Sequence, residues 1–178
     1  MERLKQLRWS SITKPSVMAL AFMLVHVSPA LSDTPRERAT LAGLTGVEVA
    51  VEPMDPDAEK DGLAQSTLRT DVELTLRQAG IRVLTSDGRL AAPGMPYLYL
   101  SVGTAKNEPG FYAYDIDLEL RQAVRLTRNP AITSSATTWR ALGWFGLVRD
   151  RNLSKVREGV RDVVDQFLNA YLAANPKR

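Results

Sequence analysis

The amino-acid sequence predicts a two-layer α/β sandwich of the α+β type, with the element order β-α-β-β-β-β-α. Two patterns support this fold class. Two segments carry apolar residues at helical spacing, and other segments alternate apolar with polar residues, as strands with one buried face do. An amphipathic helix has to bury its apolar stripe, and a half-buried sheet offers one face. Both helices are therefore expected on the same side of a mixed sheet.

The first predicted strand and helix follow one another directly. The stretch GVEVAVE, residues 46–52, alternates valine with glutamate or alanine, which predicts a half-buried strand. Residues 62–79 then carry apolar side chains at spacings of four, four and three, which is one stripe of a helix. Gly80 supplies the left-handed stop that commonly ends a helix.

The next elements are short. IRVL, residues 81–84, predicts a second strand, and residues 85–96 are rich in turn-forming residues and predict a loop. YLYLSVGT, residues 97–104, predicts a third strand. Because parallel crossovers are right-handed, the first two strands can lie parallel around the first helix.

The clearest pattern in the chain is a long alternation between Phe111 and Arg128, with apolar residues at most even positions. It predicts a fourth strand of 18 residues, longer than most strands. We therefore expect it to bend or bulge near Gln122, or to extend past its neighbours. NEPG before it and RNPA after it are turn signals, so strands three, four and five should form an antiparallel meander, with ITSSATTW, residues 132–139, as the fifth strand.

The last predicted element is a helix from about Leu153 to Ala174, because apolar residues recur there at spacings of three and four.

The amino terminus has the pattern of a signal peptide. Basic residues precede the apolar run VMALAFMLVHV, residues 17–27, which at 11 residues is too short to span a bilayer. The small residues Ala30 and Ser32 suit cleavage before Asp33, and cleavage after Ala30 fits nearly as well. The alternative is an uncleaved amino-terminal anchor. The chain has no cysteine, which excludes a lipid-anchored lipoprotein.

These features predict a signal peptide at residues 1–32, a flexible leader at 33–42 and a single α/β domain at 43–178. The exported protein would be periplasmic or secreted. Residues 33–178 hold 19 basic and 19 acidic residues, a formal net charge of zero, so a nucleic-acid partner is not expected.

The composition also limits the chemistry. The only histidine, His26, lies in the predicted signal peptide, so residues 33–178 lack thiols, imidazoles and the usual zinc ligands. No cofactor or metal is expected. DPDAEKDG, residues 55–62, resembles a calcium loop, but Lys60 and Ser66 replace the required glycine and glutamate. A turn with a helix cap explains that segment better.

The order of elements resembles small α/β domains of the bacterial envelope, such as those of the lipopolysaccharide-assembly lipoprotein and the amino-terminal domain of the Tol translocation beta protein. The stretches YLYLSVGT, FYAYDIDLELRQAV and DQFLNAYLAANPK also resemble those of uncharacterised exported bacterial proteins. The resemblance implies no catalytic motif, and it implies binding of envelope partners, which favours a non-enzymatic role.

The segment WRALGWFGLVRD is the first candidate site, as a glycine-flanked apolar loop around Trp144 and Phe145, with Arg140 before it and Arg149 after it. Two interpretations are open. In one, the aromatic side chains fold back over the sheet edge and cap the core beneath the last helix. In the other, they are exposed and anchor a partner protein or a membrane surface.

Four tyrosines form the second candidate site. They are expected to gather at one end of the meander, as a ligand face that could stack sugars or bases, or as ordinary core and rim residues with solvated hydroxyls. They are Tyr97, Tyr99, Tyr112 and Tyr114.

The third candidate is a row of acids on the fourth strand, Asp115, Asp117 and Glu119. Their spacing along the strand lies in the range of glycosidase carboxylate pairs, which need one acid with a raised pKa. If the last hairpin turns around Asn129 and Pro130, Glu119 falls near Arg140, and a cross-strand ion pair explains it instead.

The sequence therefore predicts a non-catalytic exported module with a binding or assembly role towards an envelope protein or a membrane surface. The alternative is a carboxylate-dependent glycan hydrolase that uses Asp117 and Glu119. A third possibility is a structural subunit, even a homo-oligomer, whose exposed strand edge at Thr133–Thr137 recruits another chain by β-addition.

Overall fold

The computed structural model describes residues 33–107 and 110–176. The predicted signal peptide at residues 1–32, with its cleavage site near Ser32, lies outside the described residues, as do the two middle residues of the NEPG turn. Among the described residues, no helix is long and apolar enough to cross a membrane.

The described chain forms a mixed β-sheet with helices, which confirms the predicted α/β sandwich. The strands are β1 (Glu48–Val51), β2 (Tyr97–Asn107), β3 (Phe111–Leu126), β4 (Asn129–Arg140) and β5 (Trp144–Arg149). The helices are α1 (Pro35–Ala39), α2 (Pro56–Lys60), α3 (Gln65–Gln78), α4 (Ser86–Ala91) and α5 (Ser154–Ala174).

The sheet order is β1-β2-β3-β4, with β1 parallel to β2 and the other pairs antiparallel. β5 also pairs with β3, along residues 111–116, whereas β4 pairs along residues 119–126. Because β2 occupies the other edge of β3, β4 and β5 lie end to end on the same side of it. Together they form one interrupted edge strand.

Both long helices pack on one face of the sheet. Alternate strand residues such as Leu100, Ile116 and Leu118 are buried there beneath apolar residues of α3 and α5. Gly159 lets α5 approach closely, since a Cβ at this position would lie 2.7 Å from Cδ1 of Ile116. At the end of β4, the buried Trp139 ring meets the Phe167 ring edge-on, with centroids 5.4 Å apart.

β3, at 16 residues, does not pair regularly along its whole length. Its pairing with β4 shifts register between Leu120 and Arg121, close to the predicted position at Gln122, and again between Arg125 and Leu126. The paired register with β2 ends at Arg121, so the last residues of β3 pair with β4 alone. β4 carries the extra residues of both shifts, Thr138 and residues 130–132, and β3 extends past its neighbour β2.

The prediction of a second strand at residues 81–84 is wrong. These residues form only a parallel bridge between Val47 and Val83. Thr85 immediately caps α4, its hydroxyl accepting a hydrogen bond from the Gly88 N–H at 3.1 Å, so the backbone turns into a helix within the segment predicted as a loop. β2, predicted as the third strand, is the parallel partner of β1.

The predicted flexible leader, residues 33–42, is also wrong. It contains α1, which begins with a capping box between Thr34 and Glu37. Leu41 follows this helix and is completely buried in the core. The segment is mostly polar, so the burial of this one leucine was not predicted from the sequence. One fully buried leucine stabilises the fold by about 2 kcal/mol.

Candidate functional site: the open face of the sheet

The face of the sheet opposite α3 and α5, here called the open face, carries the alternate side chains of β2, β3 and the interrupted edge strand. The register aligns these side chains in rows across the strands. One row is Tyr99, Glu119 and Arg140, and others are Gly103, Asp115 and Phe145, then Ala105, Ala113 and Leu147. The face is thus polar and aromatic at one end and apolar at the other.

The apolar end forms a groove of about 820 Å³, here called the open-face groove. Its floor is built from small residues on two neighbouring strands, Gly103, Ala105 and Ala113. Phe145 and Leu147 of β5 stand beside this floor as one wall. The groove exists because small side chains on β2 and β3 meet large ones on β5.

Gly103 leaves space for the side chain of its neighbour Asp115. A Cβ at this position would collide with the carboxylate of Asp115, which leans over it. Asp115 is itself exposed and lines the groove. Within the described residues, neither Asp115 nor Asp117 forms an ion pair. An otherwise apolar groove therefore has free negative charge at one end.

The segment predicted as a loop around Trp144 and Phe145 is the strand β5. Four large apolar side chains of the segment, one just before β5 and three within it, are exposed and are here called the apolar ridge: Leu142 (57% exposed), Trp144 (48%), Phe145 (87%) and Leu147 (73%). The interpretation in which the two aromatic residues cap the core is therefore wrong. Strand geometry is the reason, because successive side chains point to opposite faces. Phe145 pairs with Asp115 on the open face, and Trp144 pairs with Ile116 at the edge of the helical face.

The break between β4 and β5 is closely packed. The Ala141 N–H donates to the Leu118 carbonyl at 2.9 Å, and the Leu142 N–H donates to Oε1 of Gln166 on α5 at 2.8 Å. A Cβ at Gly143 would lie 2.9 Å from the backbone carbonyl oxygen of Ile116. The junction therefore holds β5, and with it the apolar ridge, in a fixed position.

The two arginines predicted to flank the site both make contacts within the chain. Arg140 pairs with Glu119, and its Nε lies 2.9 Å from Oε1. The Arg149 guanidinium lies 4.6 Å from the centroid of the Phe111 ring. Both arginines still lie on the open face, at opposite ends of the groove and ridge.

Glu119 forms the predicted ion pair with Arg140 across the β3–β4 register, which confirms that interpretation. It is only 5% exposed, and it also accepts hydrogen bonds from Arg121 and Thr137, each at 2.8 Å. Burial by itself would raise the pKa of Glu119, but the hydrogen bonds from Arg140, Thr137 and Arg121 outweigh it and hold the pKa below its ordinary value. This carboxylate stays ionised.

The four predicted tyrosines do not gather into one site. Tyr97 and Tyr99 lie on the open face at the start of β2, and Tyr99 stacks on the Arg121 guanidinium at 3.9 Å. Tyr112 and Tyr114 lie on the helical face, opposite the other end of β2.

The reason is geometric, since the antiparallel register separates the two pairs along the sheet and strand alternation places them on opposite faces. Tyr112 is fully buried, and its hydroxyl donates to Asp61 at 2.7 Å. The prediction of a shared tyrosine face is wrong.

The small residues of the groove floor were not predicted from the sequence. Gly103 and Ala105 alternate on β2 and Ala113 lies on β3, but only the register brings them side by side. The sequence signal for this floor is two small residues two positions apart in one strand, Gly103 and Ala105, with a third, Ala113, in the next strand.

Within residues 33–107 and 110–176, no group of three or more acidic, histidine or cysteine side chains could hold a metal ion. No protein-family model matches the chain, and no curated protein matches it significantly.

Proposed function

We propose that this chain is an exported, non-catalytic binding module of the bacterial cell envelope, and that it docks a segment of a partner protein on the apolar ridge and the open-face groove. The observation that carries the proposal is the exposure of Phe145 and Leu147 beside the floor of Gly103, Ala105 and Ala113. Contiguous exposed apolar surface on a soluble domain marks an interaction site.

The shape of the groove favours an extended polypeptide. Its floor runs across the backbones of β2 and β3, and β5 forms its wall at the sheet edge. A volume of about 820 Å³ lies within the range of ligand pockets. Apolar side chains of a partner would fill the space above the three small residues, and Phe145 would act as the anchor that interfaces concentrate near their centre.

Charge favours a protein segment over a membrane surface. Asp115 lies in the same row as Phe145, and Asp117 lies in the next row along β3. Bacterial membrane surfaces are generally anionic, and they attract basic rather than acidic surfaces. A basic residue next to the apolar part of a partner segment would instead pair with these carboxylates. The membrane alternative rests on Trp144, which is half-exposed and belongs to a residue type suited to a lipid interface.

The hydrolase alternative has less support. A glycosidase acid needs a raised pKa, whereas the pKa of Glu119 is lowered by its hydrogen bonds. Both Glu119 oxygens are engaged by arginine side chains, so the carboxyl has no free proton to give. The envelope assignment rests on the apolar run at residues 17–27 and on the resemblance to envelope domains.

The test is site-specific photocrosslinking in the host cell. A photoreactive residue replaces Leu147 on the ridge, and a control replaces Leu172, which is similarly apolar and exposed but lies on α5. We expect one discrete envelope protein linked at position 147 and not at 172. Adding the change Ala113→Glu, which places a charge on the groove floor, should abolish that product.

Vesicles containing anionic phospholipid form the second arm of the test. If Trp144 emission shifts to the blue on adding them and no protein crosslinks at position 147, the partner is the membrane surface. Equal crosslinking at positions 147 and 172, without a vesicle response, would contradict the ridge as a binding site of either kind.

The hydrolase alternative has its own test. Purified protein that cleaves bacterial glycans, and loses this activity in the double variant Asp117→Asn and Glu119→Gln, would establish the hydrolase instead.

A further inference from the structure

We infer that two copies of this chain pair antiparallel through β4, centred on Ser134, so that their sheets join into one continuous sheet. The inference goes beyond the proposed binding of a partner segment and rests on a different part of the molecule, the backbone edge of residues 133–137.

β4 is the last strand of the sheet on its side, so only one of its edges is paired. In an antiparallel ladder, alternate residues direct their N–H and C=O groups away from the paired neighbour. Residues 133–137, which pair with β3 in regular register, therefore present a row of backbone donors and acceptors at the edge, whereas residues 130–132 lie in the register shift next to the hairpin turn. All of these residues are exposed except Ala136, which is half-buried.

Natural edge strands are usually protected by charges, proline, bulges or a covering segment. Here the protection is confined to the two ends of β4. Pro130 lies beside the hairpin turn, and the bulged residue Thr138 has its carbonyl covered by the Thr40 hydroxyl at 3.2 Å. The stretch from Ala131 to Thr137 contains no charged residue and no proline. Its middle is open to another strand.

The sequence of this edge suits a second copy of itself. Pairing centred on Ser134 would set Thr133 opposite Ser135, and would bring Ile132, which lies in the register shift, next to Ala136. The side chains at all of these positions are small or β-branched. No like charges meet, and no charge in the stretch selects a foreign strand.

The pairing leaves the proposed docking site free. The paired stretch ends at Thr137, whereas the apolar ridge begins at Leu142, beyond the closely packed junction. Isologous pairing about a two-fold axis would therefore present two ridges and two grooves on one joined sheet.

The experiment is sedimentation of the purified full-length chain over a range of concentrations, with Ser134→Lys as the test variant. The two lysines would face each other across the axis, so we expect the dissociation constant of the dimer to rise about tenfold. Thr70→Lys is the matched control, because Thr70 is exposed on α3 and receives the same charge. It should leave the dimer unchanged.

A covalent readout supplements sedimentation, since the chain has no cysteine of its own. Ser134→Cys should form a disulfide-linked dimer under mild oxidation, and Thr70→Cys should not. A wild-type chain that stays monomeric at its highest soluble concentration would overturn the inference. So would a dimer that Ser134→Lys does not weaken, or equal crosslinking by the two cysteine variants. Because both positions are exposed, thermal unfolding of each variant should match that of wild type at concentrations where wild type is monomeric.

Discussion

Glu119 on β3 and Arg140 on β4 face each other in the sheet register, and Nε of Arg140 donates to Oε1 of Glu119 at 2.9 Å. The carboxylate is nearly buried and also accepts hydrogen bonds from Arg121 and Thr137. The middle of the open face is therefore held by one ionised acid that links two strands, and this acid contributes to folding stability.

Replacing this carboxylate should destabilise the fold in a pH-dependent way. At pH 7 we expect Glu119→Gln to lower the free energy of unfolding by about 2 kcal/mol, because it leaves the arginine donors with a weaker acceptor. The folded pKa of Glu119 is lowered, so its stabilisation is complete above the unfolded pKa of about 4.3 and is lost as pH falls through the folded pKa.

The measurement is urea unfolding of wild type and Glu119→Gln between neutral pH and about pH 3, the acid side of the carboxylate range. The difference between the two proteins should shrink below about pH 4. Asp165→Asn, at an exposed position on α5, is the control and should have little effect. A difference between wild type and Glu119→Gln that does not change with pH would show that the ion pairs are not its source.

Gly143 should be intolerant of even a methyl group. A Cβ there would lie 2.9 Å from the Ile116 carbonyl oxygen, which belongs to the backbone of β3 and cannot rotate away. We expect Gly143→Ala to cost about 1–3 kcal/mol of unfolding free energy. Leu142→Ala, beside it, is exposed and should cost less than about 0.5 kcal/mol. Thermal unfolding compares the two, and equal stability would contradict the close packing of this junction.

The two tryptophans of the described chain should respond differently to an aqueous quencher. Trp139 is 1% exposed and Trp144 is 48% exposed. In a Trp144→Phe variant, the remaining emission of the described chain should therefore be blue and resistant to acrylamide. In Trp139→Phe it should be red and strongly quenched. The comparison uses residues 33–178, which removes Trp9, and a quench-resistant Trp144 would mean that the ridge is covered in solution.

Export should be visible at the amino terminus of the protein recovered from cells. Small residues at Ala30 and Ser32 predict that the exported chain begins at Asp33, or at Leu31 if cleavage follows Ala30. Amino-terminal sequencing of the periplasmic and secreted fractions decides between these sites. Recovery only of a chain that retains Met1 in the membrane fraction would favour the uncleaved anchor.

Much of the fold could be predicted from local pattern. The alternation in β3 and the periodicities of α3 and α5 come from side chains that must share one buried face, so they can be read within each segment. The Glu119–Arg140 pair was predicted as well, although the turn lies at residues 127–128 and not at Asn129 and Pro130. The two register shifts between β3 and β4 bring Arg140 opposite Glu119.

The errors lie where tertiary pairing overrides local signals. Residues 81–84 have the composition of a strand. Because β1 pairs with β2 instead, residues 81–84 form only one isolated bridge. The segment around Trp144 contains two glycines and reads as a loop, yet the free edge of β3 beyond β4 offers it a ladder of backbone hydrogen bonds. Those bonds make residues 144–149 a strand.

The sequence by itself determined the fold class, the two amphipathic helices, the long central strand and the absence of thiol and imidazole chemistry from residues 33–178, because each depends on composition or on short-range periodicity. Only the tertiary structure decided that four tyrosines divide between two faces and that Phe145 lies beside Asp115 and Gly103. The physical reason is register. A shift of one residue between neighbouring strands reverses every face, and the side chains that share a site come from strands whose mutual alignment is set by the whole core.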